Sequence, residues 1–224
     1  MTTTTVASAQ ARAEQHATRA AFLLPGFATA AWAPLVPYAK NRTGLDEGTL
    51  GLVLLCLGAG SLLAMPIAGA LAARFGCRAI MVITLLMAMV ALPLLAIAPS
   101  PWTLGAALFV FGAGVGACDC VMNMQAVIVE RESGRPMMSN FHAFYSIGGA
   151  IGAAAITTLL SMRVSPLLVC VLASALMIAL LAVSVRWWRR DRAPNDAPMF
   201  AVPHGVVLAI GVLCFVAFLA EGTM

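Results

Sequence analysis

Apolar residues in this chain come in long unbroken blocks, not in the strict alternation of a half-buried strand or the single stripe of a surface helix. Seven such blocks lie near the ~20 residues that a helix needs to cross a bilayer. They run approximately over Ala20–Tyr38, Leu50–Leu71, Ala79–Ala98, Thr103–Val129, Met137–Ser161, Pro166–Val185 and Phe200–Ala220. Short polar connectors separate them, except for Arg186–Met199, a longer basic, Pro-bearing segment that sets six helices apart from a lone seventh. The opening MTTTTVASAQARAEQHAT is polar, and no short apolar core with a small-residue cleavage site follows it, so it reads as a cytosolic tail and not a signal peptide. The pattern predicts an all-α membrane protein: a polar tail over 1–19, a six-helix bundle over 20–185, a basic cytosolic loop over 186–199, and a seventh transmembrane helix with a short outer tail over 200–224. Nothing follows Met224 to give the seventh helix an antiparallel neighbour, so the chain is expected to be a piece of a longer protein.

Composition agrees. Residues of the hydrophobic set make up 62% of the chain, charged residues 10%, and mean hydropathy is +0.96, whereas soluble domains average about 25% charged. With the N-terminus inside, ten Arg fall on the cytosolic side (Arg12, Arg19, Arg74, Arg78, Arg131, Arg135, Arg186, Arg189, Arg190 and Arg192). Only Lys40, Arg42 and Arg163 fall outside. The bias sets the expected orientation, N-terminus in the cytoplasm and C-terminus outside, and accounts for the net charge of +4 without a nucleic-acid partner. Trp102, Trp187 and Trp188 fall at expected membrane interfaces, as an aromatic belt would. Five of the six Cys lie inside apolar blocks, where Cys serves as a small hydrophobe. Cys118 and Cys120 are two apart on a helix and do not face each other, so no metal or redox site is expected of them.

One residue changes the picture from membrane protein to transporter. Asp119 sits within the fourth block, where a carboxylate near mid-membrane costs ~2.5–3.5 kcal/mol on insertion scales; such residues face the bundle interior and mark the path of a proton, ion or solute. On a helix, Gly112, Gly116, Asp119, Asn123 and Glu130 fall within about 60° of one another. Two readings follow: a close helix contact in which Asp119 bonds a neighbouring hydroxyl, or a protonatable carboxylate on a transport path. The fifth block has a matching stripe of Ser139, His142, Ser146, Gly149 and Ala153, beside Tyr145. Imidazole titrates nearest neutrality of all side chains, so His142 is a candidate to exchange a proton or hydrogen bond with Asp119 or Asn123. The alternative is an interfacial His bonded to a loop carbonyl. Gly148 and Gly152 have the spacing of simple helix packing. In the first block Pro25, Gly26, Thr29 and Trp32 stand together; Pro and Gly loosen a helix of the kind that borders substrate sites. Trp32 is placed either to stack on a sugar ring or to anchor at the lipid interface. His204 and Glu221 read as interfacial and solvated groups of the seventh helix.

Between the second and third blocks stands GALAARFGCR, Gly69 to Arg78. It resembles the loop signature of the major facilitator superfamily, roughly Gly-x-Leu-Ala-Asp-Arg-x-Gly-Arg-Arg, and matches at Gly69, Leu71, Ala72, Arg74, Phe75, Gly76 and Arg78. Ala73 stands where that family has an acid that pairs between the two halves of the transporter, and Cys77 replaces a base. FLLPGFATAAWAPLVP in the first block, VERE at Val129–Glu132, FHAFYSIGGAIGA in the fifth and the closing FLAEG look like a sugar-permease-like branch, close to fucose permeases. The resemblance implies a secondary transporter of two six-helix halves with its site between them near the midplane; this chain then holds the first half plus helix seven. It further implies a multi-pass protein of the cell inner membrane.

The resulting expectation is a proton-coupled symporter of a small polar solute such as a sugar or drug-like compound, needing no cofactor. Asp119 and His142 would couple protons, and Thr29, Trp32, Asn123, Tyr145 and Ser146 would line the pathway. The alternative is a truncated product that only inserts or associates with other chains, its second six-helix half missing. No HExxH helix, GxSxG elbow or GxxxxGK[ST] loop is present, which argues against an enzyme or an ATP-driven pump.

Overall fold

The computed structural model describes residues 2–191 and 204–221. Every regular element among them is helical. Helix α1 (Thr2–Trp32) passes through a 3₁₀ turn, Ala33–Leu35, into α2 (Val36–Thr43); α3 (Glu47–Phe75), α4 (Cys77–Ile97), α5 (Pro101–Ser133), α6 (Met138–Ser161) and α7 (Pro166–Ser184) follow, and α8 (Val206–Glu221) comes last. Six stretches of the described residues are long and apolar enough to span a membrane: Gln10–Thr43, Glu47–Phe75, Cys77–Ile97, Pro101–Ser133, Met138–Ser161 and Pro166–Trp187. The chain is thus an all-α, multi-pass membrane protein. The expected span over Phe200–Ala220 lies in part outside the described residues; α8 covers it from Val206 onward.

Helix boundaries follow local chemistry. Asp46 caps α3, its carboxylate accepting from the Thr49 amide at 3.0 Å and the Thr49 hydroxyl at 2.7 Å. Ser100 and Thr103 close a reciprocal capping box on α5, and Ser165 caps α7. One boundary departs from expectation. The polar opening continues α1, which begins at Thr2. No Pro or Gly interrupts residues 2–24, and Glu14, Ala17 and Thr18 of this extension all find partners in the folded chain.

Two tight helix pairs build the bundle, α3 on α5 and α1 on α6, with α4 beside α5 and α7 along the outside against α4 and α1. Helices α5 and α6 scarcely touch, because α1 lies between them. Glycine makes both pairs possible. A Cβ at Gly112 would collide with the Leu57 carbonyl, and one at Gly148 with the Leu23 carbonyl. In a bilayer, where apolar surface gains nothing by leaving lipid, such close backbone approach is what holds helices together.

The outer surface divides into two kinds. Every exposed residue between 79 and 97 on α4, and between 167 and 183 on α7, is apolar, as a lipid-facing surface requires. The open face of α6 instead carries Ser139, His142 and Ser146.

Candidate functional site

The stripe on α5 splits into three parts with different work. Its outer part is packing: Gly112 and Gly116 receive Leu57 and Ser61 of α3. Its inner end is a cap, because Glu130 accepts the Met137 amide at 2.5 Å and the Met138 amide at 2.7 Å, satisfying orphan N–H groups where α6 begins. Glu130 therefore leaves the transport stripe that the helical spacing assigns it to. Only the middle remains for other chemistry. Asp119 is half-buried there, and its carboxylate accepts no hydrogen bond from any described residue. The close-contact reading, in which it bonds a neighbouring hydroxyl, is not what the structure shows. Asn123 is half-buried one turn away, and its amide donates back to the Asp119 carbonyl at 2.9 Å, so one of its donors is already used.

Across α1, helix α6 presents His142, Tyr145 and Ser146. His142 is exposed and stands edge-on against Phe22, ring centres 5.1 Å apart at 80°. It makes no hydrogen bond to a loop carbonyl among the described residues. The Tyr145 hydroxyl meets the Thr29 hydroxyl at 3.4 Å, and Thr29 donates to the Pro25 carbonyl at 2.8 Å. The Asp119 carboxylate is within electrostatic reach of both the His142 ring and the Tyr145 hydroxyl. Ser146 is exposed one turn beyond His142. The fold thus brings Thr29 of α1 to Tyr145 of α6 and sets Asp119 of α5 within electrostatic reach of Tyr145 and His142.

Trp32 does not join them. It is 5% exposed and packs in the apolar core, so it neither offers a ring to a solute nor anchors at a lipid interface. Trp188 is buried too, its indole N–H donating to the Ala17 carbonyl at 2.9 Å, whereas Trp102 and Trp187 remain exposed in the manner of a belt. Cys118 approaches Thr84 of α4 and Cys120 lies by Gly69 of α3, so the two thiols serve different helix contacts.

The loop motif has a structural partner that the sequence pattern does not reveal. Gly76 adopts φ +88°, and a Cβ there would lie 2.6 Å from the Arg190 carbonyl oxygen. Beside it the Cys77 amide donates to the Asp191 carbonyl at 3.1 Å and the Arg78 amide to the Arg189 carbonyl at 3.2 Å. The segment after α7 is therefore strapped onto the start of α4. Gly69 meets Met124 of α5 in ordinary contact, and the Arg74 guanidinium lies over the Phe75 ring at 5.2 Å.

Arg189 is the centre of that strap. Its guanidinium reaches Glu14 of α1 at 2.9 Å, Glu132 of α5 at 2.5 Å and Asp191 at 2.7 Å. Burial disfavours its charge, and the bonds and charges of Glu14 and Asp191 outweigh that, holding the guanidinium above its ordinary range. The fully buried Gln125 links the strap to α1, accepting from the Arg189 amide at 3.3 Å and donating to Thr18 at 3.2 Å. Sequence reasoning counts Arg189 only as one of many inside positives; the acids at Glu14 and in VERE were the available signal.

A profile of the Major Facilitator Superfamily matches residues 20–222. An uncharacterised MFS-type transporter of Yersinia pestis is 49% identical over 212 residues, covering 94% of this chain and 55% of that protein. An uncharacterised transporter of Sinorhizobium fredii is 31% identical over 210 residues, covering 91% and 55% respectively. The membrane protein MosC of Rhizobium meliloti is 35% identical over 127 residues, covering 57% of this chain and 31% of that one. The chain thus spans about half the length of the first two relatives. Among solved structures, a mutant of the nucleoside transporter NupG superposes with a TM-score of 0.65 at 15% identity, covering 93% of this chain and 51% of that one. Together with the six-span bundle and its polar face, these likenesses place the chain in the major facilitator superfamily.

Proposed function

We propose that this chain forms the first half of a proton-coupled secondary transporter of a small polar solute, of the sugar or drug-like class. One observation carries the reading: Asp119, half-buried in the bundle, has no hydrogen-bond partner among the described residues and lies within electrostatic reach of His142 and Tyr145. A purely structural acid in an apolar helix needs a bonded partner to offset its desolvation; an unpaired one suits a group that exchanges a proton. In this scheme Asp119 carries the proton, His142 modulates it, and Thr29, Asn123, Tyr145 and Ser146 line one wall of the path. The length of the relatives supports further helices that complete the second half and the site, residues 186–199 forming the cytosolic link and 200–224 the seventh span and outer tail. The counts of basic residues support an N-terminus in the cytoplasm of an inner membrane. The sugar-permease-like branch rests on the motifs quoted above.

The test pairs residues 1–224 with the second half of the 49% identical relative, supplied as a separate chain, in energised vesicles. Uptake should concentrate solute down a proton gradient, and Asp119→Asn should abolish accumulation while sparing solute exchange. Accumulation at the unmodified level in Asp119→Asn would make the acid structural. The second reading is a chain that inserts without transporting, favoured by the open polar face that this half alone leaves uncovered. It predicts no uptake by residues 1–224 in isolation. Asp119-dependent uptake by the chain alone would refute it and imply that two copies assemble.

A further inference from the structure

On the lipid-facing side, away from the polar face, the structure holds a groove of about 590 Å³ between the start of α4 and the end of α7. Phe75, Val82, Ile83 and Val185 give it apolar walls, and Arg78 and Arg190 stand in it. Phe75 is 57% and Ile83 60% exposed, so the walls are open to the surroundings. What sets the two guanidiniums apart from the other cations at this end of the bundle is that they share one apolar-walled groove. Arg189 is held by three carboxylates, and Arg19 bonds Asn140 at 2.7 Å. Arg78 engages its neighbours through its backbone amide and Arg190 meets Gly76 through its carbonyl. Neither side chain hydrogen-bonds or ion-pairs with any described residue. Among the described residues no carboxylate lines the groove, and that of Asp191 is taken by Arg189.

We propose that this groove binds an anionic membrane phospholipid, with the phosphate between Arg78 and Arg190 and an acyl chain along Val82, Ile83 and Val185. The depth fits. The groove sits where two spans end, at Cys77 and Trp187, so its cations lie at headgroup level and its apolar wall runs on into the exposed Ile83, Leu86 and Val90 of α4. Basic pockets between helices at this level suit anionic headgroups. A zwitterionic lipid offers the same phosphate, but its own ammonium offsets the charge, and no acid among the described residues of the groove receives that ammonium. The motif Arg78 and the strap Arg190 meet only because Gly76 lets the strap dock, so the site is a product of that contact.

Native mass spectrometry of the 224-residue chain tests this, using micelles doped equally with phosphatidylglycerol and phosphatidylcholine of the same chain length. Phosphatidylglycerol should be retained preferentially. At about fivefold per guanidinium near an anionic headgroup, R78Q/R190Q should weaken retention about 25-fold, whereas R78K/R190K keeps most of it. R131Q/R135Q, which removes two positives from the α5–α6 connection, should leave retention unchanged. Should R78Q/R190Q fail to fold, Ile83→Trp fills the groove and leaves both cations: loss of the lipid supports the site, and unchanged retention overturns it. Equal retention of both lipids, retention surviving R78Q/R190Q, an equal fall in R131Q/R135Q, or displacement of the lipid by millimolar inorganic phosphate each overturns it.

Discussion

Replacing Arg189 by Gln isolates the energetics of the strap. The substitution removes a guanidinium whose side chain is 21% exposed and which faces Glu14, 13% exposed, as well as Glu132 and Asp191, about half exposed at 51% and 50%. The two solvated pairs contribute about 0.5 kcal/mol each. The Glu14 pair lies between an exposed pair, ~0.2–1 kcal/mol, and a buried one whose breakage costs ~3–5 kcal/mol, so about 2 kcal/mol is reasonable. Arg189→Gln should then destabilise the bundle by about 3 kcal/mol, as measured by reversible unfolding in mixed micelles with increasing SDS, followed by circular dichroism. Part of that loss is the Glu14 charge left stranded. Glu14→Gln in the same chain should recover about 1 kcal/mol, so the double-mutant cycle should be non-additive. If Arg189→Gln falls within about 0.5 kcal/mol of the unmodified chain, or the two effects simply add, the strap is held by its backbone bonds and the hub argument is wrong.

Three further outcomes follow from the packing and caps. Gly148→Leu should force α1 from α6 against the Leu23 carbonyl, costing about 3 kcal/mol or preventing assembly, whereas Gly134→Ala at the exposed α5–α6 connection should cost less; the same SDS titration distinguishes them. Glu130→Gln weakens the charge-assisted cap on the first amides of α6 and should cost about 1 kcal/mol with little change in far-UV helicity. The hydroxyl and amide of Thr49 hold the Asp46 carboxyl below its ordinary range. A carboxyl depressed in the folded state adds stability above its unfolded pKa and loses it as pH falls through the folded value. The unfolding midpoint of the unmodified chain should therefore decline on acidification below the carboxylate range more steeply than that of Asp46→Asn.

Much of the architecture was legible in the chain because a bilayer imposes a local rule: each span must be apolar over its own length and close its own hydrogen bonds. Hydropathy alone located the six spans to within a few residues at most ends. The helical character of residues 2–19 escaped it, because their polarity matches a tail, and what fastens Glu14 and Thr18 lies more than one hundred residues away. Angular spacing put Asp119, Asn123 and Glu130 on one stripe, but it could not say what stands opposite each. Tertiary structure decided that: α3 receives the glycines, the α6 amides take Glu130, and Asp119 keeps a carboxylate with no hydrogen-bond partner among the described residues. Trp32 and Trp188 show the same limit, since a tryptophan near the end of a span can face lipid or core, and only the neighbouring helices choose. The sequence by itself located the six apolar spans of the described residues and the rare acid, because those depend on residues close along the chain. Which polar groups meet, and which strap locks the ends, depends on contacts between distant residues that come together only when the bundle closes.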